Sequence, residues 1–143
     1  MIARLVTLTA LTGALAATLL LPATGLAAQA MKKPAIEIKA GTIGKVIATP
    51  KRLGIYYWDV EKKAGGKIRC TGKCAVEWPP VYVKGTVAKH VPGVMATFGT
   101  IKRGTKRQLT VNGLPAYTYH GDTANVVLCD NVDGWHVFRP TGG

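Results

Sequence analysis

Three cysteines offer the chain's most distinctive chemistry. Cys70 and Cys74 are separated by three residues, and Cys129 lies more than fifty residues further along. An oxidising compartment favours a disulfide, and a turn at Gly72 lets the first two Cα atoms approach within bridging distance. On the chain-entropy estimate, a Cys70–Cys74 bridge contributes about 2 kcal/mol, whereas a bridge from either residue to Cys129 contributes about 4 kcal/mol. Loop closure alone therefore favours the long bridge, and the pairing stays open at this point.

The same cysteines could instead bind a soft metal ion. Thiolates combined with imidazole suit copper or zinc, and a Cys-x-x-x-Cys pair with a distant His is similar to the copper sites of respiratory-oxidase assembly proteins. No thioredoxin-like βαβ pattern surrounds the pair, so we expect no metal and no cofactor. The alternative is a copper site formed by Cys70, Cys74, His120 and His136.

Two segments, 56–61 and 117–122, repeat one order of residue types: Tyr, any residue, an aromatic residue, two further residues and an acid. Each motif is followed by a Trp, Trp78 after the first and Trp135 after the second. Two copies of one order indicate a duplicated β unit with pseudo-symmetry. The six motif positions are Tyr56, Trp58, Glu61, Tyr117, Tyr119 and Asp122.

These six residues admit two interpretations. Alternate residues of a strand point to one face of the sheet, so the two aromatic residues of each motif share a face. In the first interpretation they form the core, and the acids cap turns. In the second they line a groove with an adjacent carboxylate, which could bind a sugar, a quinone or a cationic ligand.

Signatures of catalysis are missing from the sequence. The chain contains no Ser, which excludes a serine nucleophile, and it has no zinc-protease helix motif or phosphate-binding glycine loop. A pair of Cys129 with His120 or His136 is conceivable as a nucleophilic dyad, but nothing in the sequence orients it. We therefore expect a protein without enzymatic activity.

The elements that must position these residues are predicted to be strands. From Ile43 onward, short runs rich in Val, Ile, Thr and Tyr are interrupted by Gly, Pro and Asn, and no helical period lasts three turns. Asn112-Gly113 indicates a tight hairpin between 109–111 and 116–119. Further turns are expected at 103–106, and at 131–134 between strands 126–128 and 135–138. The sequence predicts an all-β domain of two related antiparallel units, about 44–83 and 94–140.

The N-terminus has the layout of a secretory signal peptide. Leu5–Leu21 carries no charge, follows the short head Met1–Arg4, and precedes the small-residue site Ala28-Gln29-Ala30. We expect a signal-peptide helix at 1–30, a basic lead-in at 31–43 and the β domain at 44–140. Cleavage leaves no stable membrane span, so the protein is predicted to be exported to the periplasm or secreted; a retained anchor is the alternative.

Net charge points to the class of partner. The 143-residue, 15.1 kDa chain has room for one domain and carries a formal charge of +12. Of its 19 Lys and Arg residues, only Arg4 lies in the predicted signal peptide. Such an excess of Lys and Arg attracts anionic surfaces. We expect an anionic envelope surface or an envelope protein as the partner, and no nucleic acid, because an exported protein seldom meets it.

Several blocks together resemble the secreted-repeat family, whose members are often described as predicted lipoproteins with a Tyr-x-aromatic-x-x-Asp motif. The blocks are 117–122, Cys70-Thr71-Gly72-Lys73-Cys74-Ala75-x-x-Trp78-Pro79-Pro80, 108–115, and Trp135-His136-Val137-x-x-Pro140. The chain departs from the family in lacking a lipidation Cys and in having Glu61 where the first repeat usually has Asp.

The resemblance implies export, a β-rich repeated domain and a local Cys70–Cys74 bridge that leaves Cys129 unpaired. It implies no reaction. We therefore expect an exported cell-envelope protein that acts without catalysis as a binding or structural module. The alternative is a periplasmic copper or thiol-redox protein that uses Cys70, Cys74 and a His.

Overall fold

The structure is a computed structural model that describes residues 31–140, so the predicted signal peptide at 1–30 lies outside the described residues. Within 31–140, no helix is long and apolar enough to cross a membrane. The described residues form eight strands, a 3₁₀ turn at Gly41–Ile43 and two short helices. The strands are β1 (Ile36–Ala40), β2 (Gly44–Ala48), β3 (Tyr56–Trp58), β4 (Tyr82–Val83), β5 (Phe98–Arg103), β6 (Lys106–Val111), β7 (Leu114–Pro115) and β8 (Trp135–Val137); the helices are α1 (Asp59–Lys63) and α2 (Lys73–Glu77).

Every pairing between these strands is antiparallel. β1 pairs with β2, β3 pairs with β8, and β6 lies between β5 on one side and β4 and β7 on the other. The expected class, a small all-β domain of antiparallel strands, is confirmed. One boundary differs from the expectation: β1 lies inside the segment 31–43 taken as a lead-in, and its alternating Ile36, Ile38 and Ala40 pair with β2.

All three expected turns are present, and two of them join the strands of a hairpin. Asn112 and Gly113 have φ angles of 50° and 80°, the positive values that a two-residue hairpin turn requires, and they join Val111 to its partner Leu114. Gly104, with φ of 59°, lies in the turn between Arg103 and its partner Lys106.

The third expected turn, at 131–134, is closed by a hydrogen bond from the Trp135 N–H to the Val132 carbonyl at 2.8 Å, but the strand pairing expected around it is wrong. Residues 126–128 form no strand, and β8 pairs instead with β3, so that Trp58 lies opposite Trp135 and Tyr56 opposite Val137. The physical reason is burial, since Trp135 and Val137 are 3% and 2% exposed whereas Leu128 is 58% exposed.

The core consists of two apolar clusters. One is mainly aliphatic and centres on Ile47, Ile55 and Leu109, together with two Phe side chains. The other, called the aromatic cluster here, holds the buried Tyr and Trp side chains, among them Tyr56 and Tyr117 of the two motifs. Because β3, β8 and the segment around Tyr117 meet in the aromatic cluster, this cluster positions the residues that the sequence singled out.

Candidate functional site

The two tyrosines that begin the motifs lie directly opposite each other. The backbone N–H of Tyr56 donates to the carbonyl of Tyr117 at 2.8 Å, and the N–H of Tyr117 donates to the carbonyl of Tyr56 at 3.0 Å. This isolated antiparallel bridge brings residues 61 positions apart in the sequence into one hydrogen-bonded pair. It sets the two motifs side by side in opposite directions.

The motifs exchange their acids. The Tyr56 hydroxyl donates to Asp122 Oδ2 at 2.6 Å, and the Tyr117 hydroxyl donates to Glu61 Oε1 at 2.7 Å. Each tyrosine therefore bonds the carboxylate of the other motif. We call these four residues the crossed pairs.

The acids of the crossed pairs also hold turns. Glu61 Oε1 accepts hydrogen bonds from the backbone N–H groups of Arg69 at 2.7 Å and Cys70 at 3.0 Å. Asp122 Oδ1 accepts one from the N–H of Leu128 at 3.0 Å. Such bonds satisfy backbone donors that no strand partner reaches.

The tryptophans that follow the motifs repeat the same symmetry. Trp78 and Trp135 stack on each other with ring centroids 4.0 Å apart and an angle of 7°. Tyr56 meets Trp78 edge-on at 5.2 Å, and Tyr117 meets Trp135 edge-on at 5.2 Å. The stack continues outward to the half-buried Trp58 on one side and Tyr119 on the other.

Burial decides how these six residues can act. Tyr56, Glu61 and Tyr117 are 0% exposed and Asp122 is 8% exposed, so the predicted groove lined by all six motif residues is not formed. Burial, followed by the bond to Asp122, raises the pKa of Tyr56, and burial raises the pKa of Asp122 above its ordinary value. The crossed pairs are therefore held as proton donors and acceptors inside the core.

The cysteines adopt the local pairing. Cys70 and Cys74 form a disulfide with a Cα–Cα distance of 5.2 Å, as the family resemblance implied. Cys129 is unpaired and packs, half-buried, against the aromatic cluster. The disulfide closes the loop immediately after Cys70, whose N–H is bonded by Glu61, so the bridge and the first crossed pair support the same turn.

The histidines bond carboxylates and amides. His120 Nδ1 lies 3.4 Å from a carboxylate oxygen of Glu77, and His136 lies 3.0 Å from Asp59 and 2.7 Å from the Asn131 amide oxygen. Among residues 31–140, no three His, Cys, Asp or Glu side chains are arranged to hold a metal ion. The structure does not gather the four residues of the copper alternative into one site.

A cavity of about 340 Å³ lies on the other face of β3 and β8. Tyr57 and its strand partner His136 stack in it with ring centroids 5.2 Å apart, and the Lys62 ammonium lies 5.3 Å from the centre of the Tyr57 ring. Sequence reasoning missed Tyr57 because it treated the position as the variable residue of the motif. Strand alternation was the available signal, since it places Tyr57 opposite to Tyr56 and Trp58.

His136, which lines this cavity, forms a salt bridge with Asp59. The hydrogen bond from His136 lowers the pKa of Asp59 below its ordinary value, and the ring of His136 is held between Asp59 and Asn131. The half-buried Tyr57 and His136 rings and the Lys62 ammonium line the cavity together. It contains no hydroxyl or thiol nucleophile other than the Tyr57 phenol.

A second, larger groove of about 560 Å³ is bordered by lysines. Its floor includes Leu53, Val81 and Val83, and four lysines surround it. We call it the basic groove; its lysines are Lys32, Lys33, Lys51 and Lys84. None of the four forms an ion pair with a carboxylate in the part of the chain that the structure describes.

Comparison of the chain with protein-family models, with curated proteins and with solved structures finds no match. Functional inference therefore depends on the geometry of the crossed pairs, the two cavities and the distribution of charge.

Proposed function

We propose that this is an exported cell-envelope protein that acts without catalysis and binds an anionic surface of the envelope. The observation that carries the proposal is how the seven acids are used. Glu61 and Asp122 are buried in the crossed pairs, and Asp59 and Glu77 bond histidines. Few carboxylates are left to neutralise Lys and Arg at the surface.

Few of the Lys and Arg residues form an ion pair with a described carboxylate. Of the 18 Lys and Arg residues in 31–140, only Lys45 and Arg139 lie in an ion pair with a described carboxylate. Unpaired surface cations produce a positive potential that raises the local concentration of anionic partners and accelerates association. An anionic membrane or another anionic envelope polymer presents the complementary surface.

The non-catalytic part of the proposal is supported by the fate of the motif residues. The groups that could donate or accept protons, Tyr56, Glu61, Tyr117 and Asp122, are used inside the core to join the two motifs. We further propose that the motifs mark two related β units, as in the secreted-repeat family that the chain resembles, and that residues 1–30 direct export.

Vesicle binding tests the anionic-surface proposal. The mature chain is expected to sediment with phosphatidylglycerol vesicles and not with phosphatidylcholine vesicles at 0.01 M salt. Binding should fade towards 0.15 M salt, because the Debye length falls from about 30 Å to about 8 Å. Equal binding to both vesicle types, or binding indifferent to salt, would contradict an electrostatic partner surface.

Export is tested separately by N-terminal sequencing of material recovered outside the cytoplasm. The expected first residue is Met31, which follows the small-residue site Ala28-Gln29-Ala30, or Ala28 if the earlier site Gly25-Leu26-Ala27 is used. Recovery of the chain only in the cytoplasm with Met1 intact would disprove export without affecting the vesicle result.

A further inference from the structure

We propose that the basic groove binds an alkyl phosphate, with the acyl chain on the apolar floor and the phosphate among the four lysines. This inference rests on the proposed binding function and assigns it a site and a ligand class. The groove is formed by segments distant in sequence, 32–34, 49–53 and 80–87, together with Thr118.

The basic groove has the size and polarity of a small-molecule site. Its volume of about 560 Å³ lies within the range of about 300–1,000 Å³ typical of ligand pockets, which are mostly apolar with a few placed polar groups. Leu53, Val81, Val83 and Val87 are half-buried there. Covering these side chains with an acyl chain removes apolar surface from water, which favours binding.

The lysines supply the complementary charge. Lys32 and Lys33 come from the N-terminal segment, Lys51 from the loop after β2, and Lys84 from the end of β4. No acidic residue of the described range 31–140 lines the groove. Several lysine ammonium groups around one site suit a phosphate, because each is a compact point charge that needs no planar, two-pronged geometry.

The prolines of the groove favour an acyl chain over an extended acidic peptide. Pro34, Pro50 and Pro80 line it, and proline has no backbone N–H to donate. A peptide that adds to a strand edge depends on main-chain hydrogen bonds for its affinity. A hydrocarbon chain requires none, so it fits a proline-lined floor better.

Titration calorimetry with octyl phosphate, decyl phosphate and inorganic phosphate tests the assignment on the full mature chain, below the micellar concentration. Each buried methylene contributes enough to strengthen binding about fourfold, so decyl phosphate should bind about 16-fold more tightly than octyl phosphate. Inorganic phosphate should bind far more weakly than either. Equal affinity for both alkyl phosphates would overturn the acyl-chain part of the proposal.

Two charge-matched double variants test the location. K51E/K84E reverses two groove lysines, and K63E/K67E reverses two exposed lysines that line neither cavity. We expect K51E/K84E to bind decyl phosphate at least tenfold more weakly and K63E/K67E to lose less than threefold. Equal losses would overturn the groove assignment and leave the proposed binding of anionic surfaces standing.

A floor variant and two competing ligands complete the test. Leu53→Gln should reduce the affinity difference between octyl and decyl phosphate, while circular dichroism verifies that the variant is folded. Decanoate should bind more weakly than decyl phosphate, since it carries less negative charge; binding as tight as decyl phosphate would overturn the choice of phosphate. Displacement of decyl phosphate by a short polyglutamate at equal concentration would overturn the ligand class in favour of an acidic peptide.

Discussion

The crossed pairs allow a prediction about stability that the order of residues in the sequence alone would not allow. Tyr117→Phe removes one of the three hydrogen bonds that Glu61 Oε1 accepts; the other two donors are the backbone N–H groups of Arg69 and Cys70. The Glu61 side chain is fully buried. A buried hydrogen bond to a charged group contributes about 1.5–3 kcal/mol. We expect Tyr117→Phe to lower the free energy of unfolding by about 2–3 kcal/mol, and Tyr56→Phe by a similar amount, through Asp122.

Double-mutant cycles identify the partner of each tyrosine. Glu61→Gln keeps an acceptor at Oε1 and places the amide nitrogen at Oε2, which has no partner among the described residues. The charged bond to Tyr117 becomes a neutral one, so Tyr117→Phe should couple to Glu61→Gln by about 1 kcal/mol. Tyr56→Phe should couple similarly to Asp122→Asn.

The same cycles contain their own controls. Tyr56→Phe with Glu61→Gln combines residues of one motif that share no hydrogen bond, and its coupling should stay below about 0.5 kcal/mol. Tyr82→Phe removes an exposed hydroxyl and keeps the ring that Lys106 contacts at 4.7 Å, so it should change stability by less than about 0.5 kcal/mol.

Urea unfolding followed by circular dichroism supplies the free energies by linear extrapolation. Coupling that is larger within a motif than between motifs would contradict the crossed pairing. Tyr56→Phe and Tyr117→Phe variants as stable as the Tyr82→Phe control would contradict the stabilising role of the two hydroxyl bonds.

Three further predictions concern titration and the disulfide. Burial raises the pKa of Tyr56 and of Tyr117, so the folded chain keeps two protons that the unfolded chain loses above about pH 10. The free energy of unfolding should therefore fall as pH rises past that value. Absorbance at 295 nm should show that both phenols ionise only when the protein unfolds. Cys70→Ala should lower the free energy of unfolding by about 2 kcal/mol, the loop-closure value for so short a ring. Burial tends to raise the pKa of Asp130, but the hydrogen bonds from Arg139 and from the Val137 N–H lower it overall. The contribution of Asp130 to stability is therefore present above about pH 4 and should be lost as pH falls through its folded-state pKa. Asp130→Asn should remove this part of the loss of stability in acid.

Matched variants check these three results. Cys129→Ala removes an unpaired thiol and should cost less than Cys70→Ala, because it changes only packing. Asp133→Asn, which replaces an exposed carboxylate that forms no ion pair among the described residues, is the matched control for Asp130→Asn. Two phenols that ionise before unfolding, or equal costs for the two cysteine variants, would contradict the corresponding argument. So would an acid response as large in Asp130→Asn as in the unchanged protein, since only the part due to Asp59 should remain.

Local features of the sequence determined much of the β architecture. Asn112-Gly113 predicted its hairpin because the turn depends on the backbone freedom of two adjacent residues. The repeated order of aromatic and acidic residues marked the two segments that meet in the aromatic cluster. The Cys70–Cys74 pairing followed from family resemblance, whereas loop-closure energetics pointed to Cys129 and failed, because that estimate contains nothing about which thiols the fold brings together.

Only the tertiary structure decided which segments lie opposite each other. Strand alternation shows that Tyr56 and Trp58 share a face, but it does not show that the partner of Tyr56 is Asp122 and not Glu61. The pairing of β3 with β8 and the gathering of lysines from three segments around the basic groove are likewise not encoded in any local pattern. Such contacts depend on the total apolar surface that the whole chain can bury, and a window of neighbouring residues does not contain that quantity.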